Sequence, residues 1–160
     1  MIGALNGLLI SVVGVSPILA TLGTMTLITG LNILLSNGDV ISDFPPVIQY
    51  IGSGDIAGIP VAMILFLLVS AGLWVLLEHT TLGRSIYLVG SNEQATRFSG
   101  VNTHRVQVAV YILSAVLGWG AAILMMAKFN SAKAGYGESY LLVTILASVL
   151  GGINPDGGFG

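Results

Sequence analysis

The chain has 160 residues, 54% of them hydrophobic and only 8% charged, with a formal net charge of −2 and a mean hydropathy of +0.94. A soluble domain carries about a quarter charged residues, and so small a globule cannot enclose this much apolar surface, so lipid must be the solvent for much of it. The weak charge and the lack of a basic run exclude a nucleic-acid partner, and the absence of cysteine excludes disulfides, thiolate metal sites and cysteine nucleophiles.

The beginning does not read as a secretory signal, because no basic residue precedes the first apolar run and more such runs follow. Residues 1–38 carry no charge, and Pro17 divides them, since proline favours the first turn of a helix and disfavours helix in the residue before it. Two helical segments are expected, Ile2 to Val13 and Pro17 to Leu35. The first falls short of the roughly 20 residues needed to cross about 30 Å of hydrocarbon, so it is either a shortened helix or part of a crossing. In the second, Thr21, Met25, Thr29, Asn32 and Ser36 share one stripe, with Gly23, Thr26 and Gly30 opposite. The small residues suit close helix packing. Thr21, Thr29 and Asn32 are candidates for a translocation path, because an asparagine facing lipid is costly. The alternative is that they bond to neighbouring helices or to their own carbonyls.

Residues 37–59 contain turn signals at Asn37-Gly38, Pro45-Pro46 and Gly52-Ser53-Gly54, with Asp39, Asp43 and Asp55 and no Lys or Arg. Pro60 to Leu77 is an uncharged span with Trp74 near its end as an interface anchor. Next comes a polar island, Glu78 to Arg105, holding Arg84, Arg97, Arg105 and both histidines. Ser91 and Gln94 have the spacing of a capping box, and Gly100 stands where a short helix begun at Asn92 would close with a left-handed residue. Ala95, Phe98 and Val101 fall roughly on one face of that helix. A short amphipathic helix between two spans is a handle for a partner in the water phase. Val106 to Ala127 is a further span, whose stripe of Gln107, Tyr111, Ser114, Gly118 and Ala122 is expected to pack tightly. Lys128 to Ser139 is polar. Tyr140 to Leu150 is too short to cross and suggests a re-entrant or broken helix, running into a glycine loop with Gly151, Gly152, Gly157, Gly158 and Gly160.

Alternation of spans puts 37–59 and 128–139 on one side and 78–105 on the other. The island has three basic residues, the first loop none and the last two, which favours the island as cytoplasmic. The spans hold Ser70 and Ser114 but no histidine or carboxylate, which speaks against the rival reading of an intramembrane protease, and no metal site is expected from two isolated histidines at span ends. The glycine run lacks the Lys-Ser/Thr of a phosphate-binding loop, so any nucleotide-driven energy source lies in another polypeptide.

Three stretches together resemble a known family: TLGRSIYLVGSNEQATRFSGVN (81–102), SPILATLGTM (16–25), and Gly151-Gly152 with Gly157-Gly158-Phe159-Gly160. Their order and spacing are similar to permease subunits of bacterial ABC importers for monosaccharides, of the ribose, xylose and arabinose type. The resemblance implies an all-α fold, a polytopic transmembrane helical bundle of about four to five spans in the bacterial inner (plasma) membrane, with no covalent chemistry and no cofactor. It implies four kinds of partner: an ABC ATPase subunit, a second permease subunit in a homo- or heterodimer, a periplasmic sugar-binding protein, and membrane lipid. Gly90, Asn92, Glu93, Ala95, Arg97 and Gly100 match the family's ATPase-coupling loop, so 1–160 reads as one incomplete permease region with 78–105 as its cytoplasmic coupling loop. The family's chains are longer, with further spans on both sides. The rival readings are a passive channel or facilitator, in which 78–105 is dispensable, and a non-functional truncated remnant of a permease.

Overall fold

The computed structural model describes residues 1–56 and 58–152. Its helices are α1 (Ile2–Ser11), α2 (Pro17–Ser36), α3 (Pro46–Ser53), α4 (Val61–His79), α5 (Thr81–Ser91), α6 (Glu93–Phe98), α7 (Thr103–Phe129) and α8 (Glu138–Leu150). Among the described residues, sheet is confined to two antiparallel pairs of two-residue strands: β1 (Ile41–Ser42) with β4 (Ser131–Ala132), and β2 (Asp55–Ile56) with β3 (Ile59–Pro60). Pro17 and Pro46 open α2 and α3, where a missing N–H leaves no bond unmade. Asn37 and Asn130 close α2 and α7 in the left-handed conformation, one of the few non-glycine side chains that tolerates it.

Three of these helices, α2, α4 and α7, are long and apolar enough to cross a membrane, with 20, 19 and 27 residues. The shorter apolar helices α1 and α8 complete the five apolar segments read from the sequence. The chain is therefore an all-α membrane bundle. Its large apolar side chains point outward: Phe66 on α4 is 68% exposed and Trp74 61%. In water such surface would drive association, whereas in hydrocarbon it is the ordinary outside of a helix. Trp74 also meets His79 edge-on at 5.2 Å, so the end of α4 is where apolar ring and polar ring share the interface.

The most extensive contact between helices joins α1 to α7, running antiparallel. A Cβ on Gly3 would lie 2.6 Å from the Ala115 Cβ, and one on Gly7 would lie 2.9 Å from the Val108 Cα. Both distances are inside contact range, so only glycine permits this approach. The close face of α7 therefore runs through Val108, Tyr111 and Ala115, and the stripe expected to pack tightly is corrected. Of that stripe, Tyr111 lies under α1, but Gly118 and Ala122 line a cavity, and a Cβ at Gly118 would touch nothing within 4 Å. The small residues that set the approach belong to the partner helix. Gly3-Ala4-Leu5-Asn6-Gly7 has the four-residue glycine spacing that favours close helix pairs, and it was legible in the sequence.

At one end of the bundle the two loops 37–59 and 128–139 meet, as alternation of spans requires. The strand pair β1–β4 joins them, and Asn130 holds them: its Oδ1 accepts from the Phe44 N–H at 3.0 Å and from Gln49 Nε2 at 3.2 Å. Gln49 Nε2 also donates to the Phe44 carbonyl at 2.9 Å. The first loop is not irregular throughout, since α3 packs Gly52 onto α7 so closely that a Cβ there would lie 2.5 Å from the Lys128 N. The polar stretch 78–105 lies at the other end.

Two substitutions test this packing. Gly7→Leu forces a side chain into the Val108 backbone and should cost about 1–3 kcal/mol, read as a lowered melting temperature in detergent. Asn130→Ala leaves the Phe44 N–H and the Gln49 amide without their shared acceptor and puts alanine at φ 49. It should cost about 1–3 kcal/mol and open residues 37–59 to limited proteolysis.

Candidate functional site

The polar stretch is built as two helices at an elbow, folded back against the end of α4. At Thr80 the backbone turns extended, with φ −111 and ψ 157, and the Thr80 Oγ1 accepts from the Gly83 N–H at 3.1 Å. Gly83 sits so close to the last turn of α4 that a Cβ would lie 2.5 Å from the Leu77 carbonyl carbon. Glycine here lets α5 lie directly on α4. Residues 81–91, expected only as part of a polar island, form α5, with Gly83 buried and Ile86 and Val89 half-buried along one side. That 83, 86, 89 spacing was the available signal.

Between α5 and α6 stands one residue, Asn92, with extended dihedrals of φ −161 and ψ 103. Its Oδ1 accepts from the Ala95 N–H at 2.9 Å, which makes Asn92 the N-cap of α6. The expected capping box at Ser91 is corrected: Ser91 is still helical, and its hydroxyl donates to the Tyr87 carbonyl at 2.9 Å, inside α5. The cap needs a side chain on a residue that has already left the helix, and only Asn92 has. Gly100 closes the segment at φ +83, its N–H donating to the Arg97 carbonyl at 3.1 Å, as its position predicts. Glu93 in the first turn and Arg97 in the last complement the helix dipole.

Gly90, Asn92, Glu93, Ala95, Arg97 and Gly100 are all exposed, and Phe98 beside them is 93% exposed. Thr96 alone in α6 turns inward, 5% exposed, its hydroxyl 2.8 Å from both the Leu88 and the Asn92 carbonyl oxygens. The elbow then passes to α7, where Asn102 Oδ1 accepts from the Arg105 N–H at 3.1 Å and Thr103 is buried. Sequence reasoning missed both inward threonines, because a hydroxyl among polar neighbours carries no periodic signal.

The three candidate path residues are not brought together. The Thr21 hydroxyl donates to the Pro17 carbonyl at 2.8 Å, so its polarity is met within its own helix. Thr29 is half-buried and is not among the residues that line the cavity reached by Asn32. Asn32 does line a cavity of about 640 Å³ between the end of α2, the second half of α7 and the turn before α8, with Ser36, Asp39, Lys133 and Tyr136. Gly151 and Gly152 follow α8 in an exposed turn, Gly152 at φ +89. Gly157, Gly158 and Gly160 lie outside the described residues. Among the described residues, no group of three or more His, Cys, Asp or Glu stands at metal-binding spacing.

The sequence pattern of a family described as the permease component of branched-chain amino acid transport systems matches residues 1–159. The ribose import permease protein RbsC of Bacillus subtilis is 40% identical over 157 residues, covering 97% of this chain and 49% of that protein. RbsC of Escherichia coli K12 is 35% identical, with 99% of this chain and 51% of that protein covered. The autoinducer 2 import system permease protein LsrD of Salmonella typhi is also 35% identical, with coverages of 99% and 49%. The chain spans about half the length of the curated relatives it matches. No solved structure matches it. With the family's pattern running through nearly every residue of an apolar helical bundle, the chain belongs to this family of membrane transport permease components.

Proposed function

We propose that the chain is a membrane-spanning part of the permease of an ATP-driven sugar importer in a bacterial inner membrane. It contributes spans to the translocation path and carries, in 78–105, the cytoplasmic segment that couples to an ATPase. The names of the relatives, import permeases for ribose and for autoinducer 2, support a small polar cargo. The observation that carries the coupling role is the elbow, where a short helix capped at both ends turns Asn92, Glu93, Ala95 and Arg97 outward. Such a segment needs no reactive chemistry. It needs a rigid surface, and a connection to the spans, which α5 supplies toward α4 and Asn102 toward α7. The partners on this reading are an ABC ATPase subunit, a second permease subunit and a periplasmic sugar-binding protein.

Cysteine crosslinking tests it. In the assembled transporter, Arg97→Cys should capture the ATPase subunit, and a probe on the loop 37–59 should not. Gly100→Val places a β-branched residue at φ +83, a strain of about 1–2 kcal/mol, and should reduce uptake about tenfold with normal membrane abundance. A passive facilitator would keep its uptake with Gly100→Val in place and yield no ATPase crosslink, and that result would remove the coupling reading.

A further inference from the structure

The junction between α5 and α6 is a single extended residue, Asn92, and a one-residue break in a helix is a natural hinge. The bonds around it are unevenly shared. The Asn92 N–H donates to the Leu88 carbonyl at 3.1 Å, which ties the hinge residue to α5. The Asn92 side chain accepts from Ala95, and its carbonyl accepts from the Thr96 N–H at 3.1 Å, which tie the hinge residue to α6. None of these fixes the angle between the helices. Among the described residues, the one hydrogen bond that runs directly from α6 to α5 is made by the Thr96 hydroxyl. It sits 2.8 Å from the Leu88 carbonyl, eight positions back, and shares its proton with the Asn92 carbonyl at the same distance. Thr96 is also the buried residue of α6, at 5% exposure, so water cannot readily take its place.

We propose that Thr96 is a positioning residue that latches α6 onto α5, so that the two helices move as one body when α6 is displaced. Its role rests on the coupling reading given above. A loose hinge would let α6 tilt on its own and dissipate displacement at Asn92. A latched one passes it along α5 to Gly83 and the end of α4. The hydroxyl acts through the angle it sets and touches neither cargo nor nucleotide.

Two readouts separate this latch from the coupling reading. This chain has no cysteine, so Leu82→Cys on α5 and Phe98→Cys on α6, both at exposed positions, accept spin labels. In the permease held in lipid nanodiscs, the interspin distance should be narrowly distributed. Thr96→Val keeps the shape of the side chain and removes the donor, and should broaden the distribution; Thr96→Ser restores the donor and should narrow it again. A distribution unchanged in Thr96→Val overturns the latch. In the assembled transporter without labels, Thr96→Val should lower uptake per ATP hydrolysed about fivefold, the population ratio that follows from losing one ordinary hydrogen bond, with Thr96→Ser near normal. An unaltered ratio alongside a broadened distribution overturns the transmission role. Loss of the Arg97→Cys crosslink in the otherwise native transporter counts against the coupling reading, while the spin labels still decide the latch.

Discussion

Close backbone approach to α7 is the constraint on which the described structure depends. This 27-residue helix receives α1 at Gly3 and Gly7 near its middle and first half, and α3 at Gly52 near its end. In lipid there is no hydrophobic gain in bringing two apolar helices together, so association rests on van der Waals contact and on hydrogen bonds. Glycine increases the first by removing the side chain that would hold the axes apart. Asn130, at the end of α7, supplies the second by satisfying two donors from a segment more than 80 positions away. The bundle is thus organised by small residues and a few polar ones, while its large apolar side chains face outward.

The same helix connects the two polar ends. At one end it is tied to the loop 37–59 through β4 and Asn130, and at the other it begins at Asn102, directly after the elbow of α5 and α6. α7 thus runs as one continuous helix from the elbow to the opposite loops. The elbow itself is stiffened by side-chain acceptors: Thr80 caps α5, Asn92 caps α6 and Asn102 caps α7. Three caps within 23 positions leave little backbone free to flex.

The family description and the names of the relatives point to different cargoes. The family description refers to branched-chain amino acid transport, whereas the relatives' names refer to ribose and autoinducer 2. In this chain Asn32 and Ser36 are polar groups lining the cavity beside Tyr136.

The sequence by itself determined the class and the layout. An uncharged apolar run of about twenty residues is best solvated by lipid, Pro17 and Pro46 each open a helix, and the stretch 81–102 announced a short helix begun at Asn92, which is α6. It also determined that 37–59 and 128–139 share an end, because spans alternate. Only the tertiary structure decided which residues face inward at the elbow, that Asn92 rather than Ser91 caps α6, and that Thr21 spends its hydroxyl on its own helix while Asn32 lines a cavity. Those facts depend on dihedral angles and on the distance between helices, and a hydroxyl or an amide reads the same in sequence whether its partner is four residues back, eight, or on another helix. Periodicity reports which face a residue shares; it carries no information on what lies across from that face.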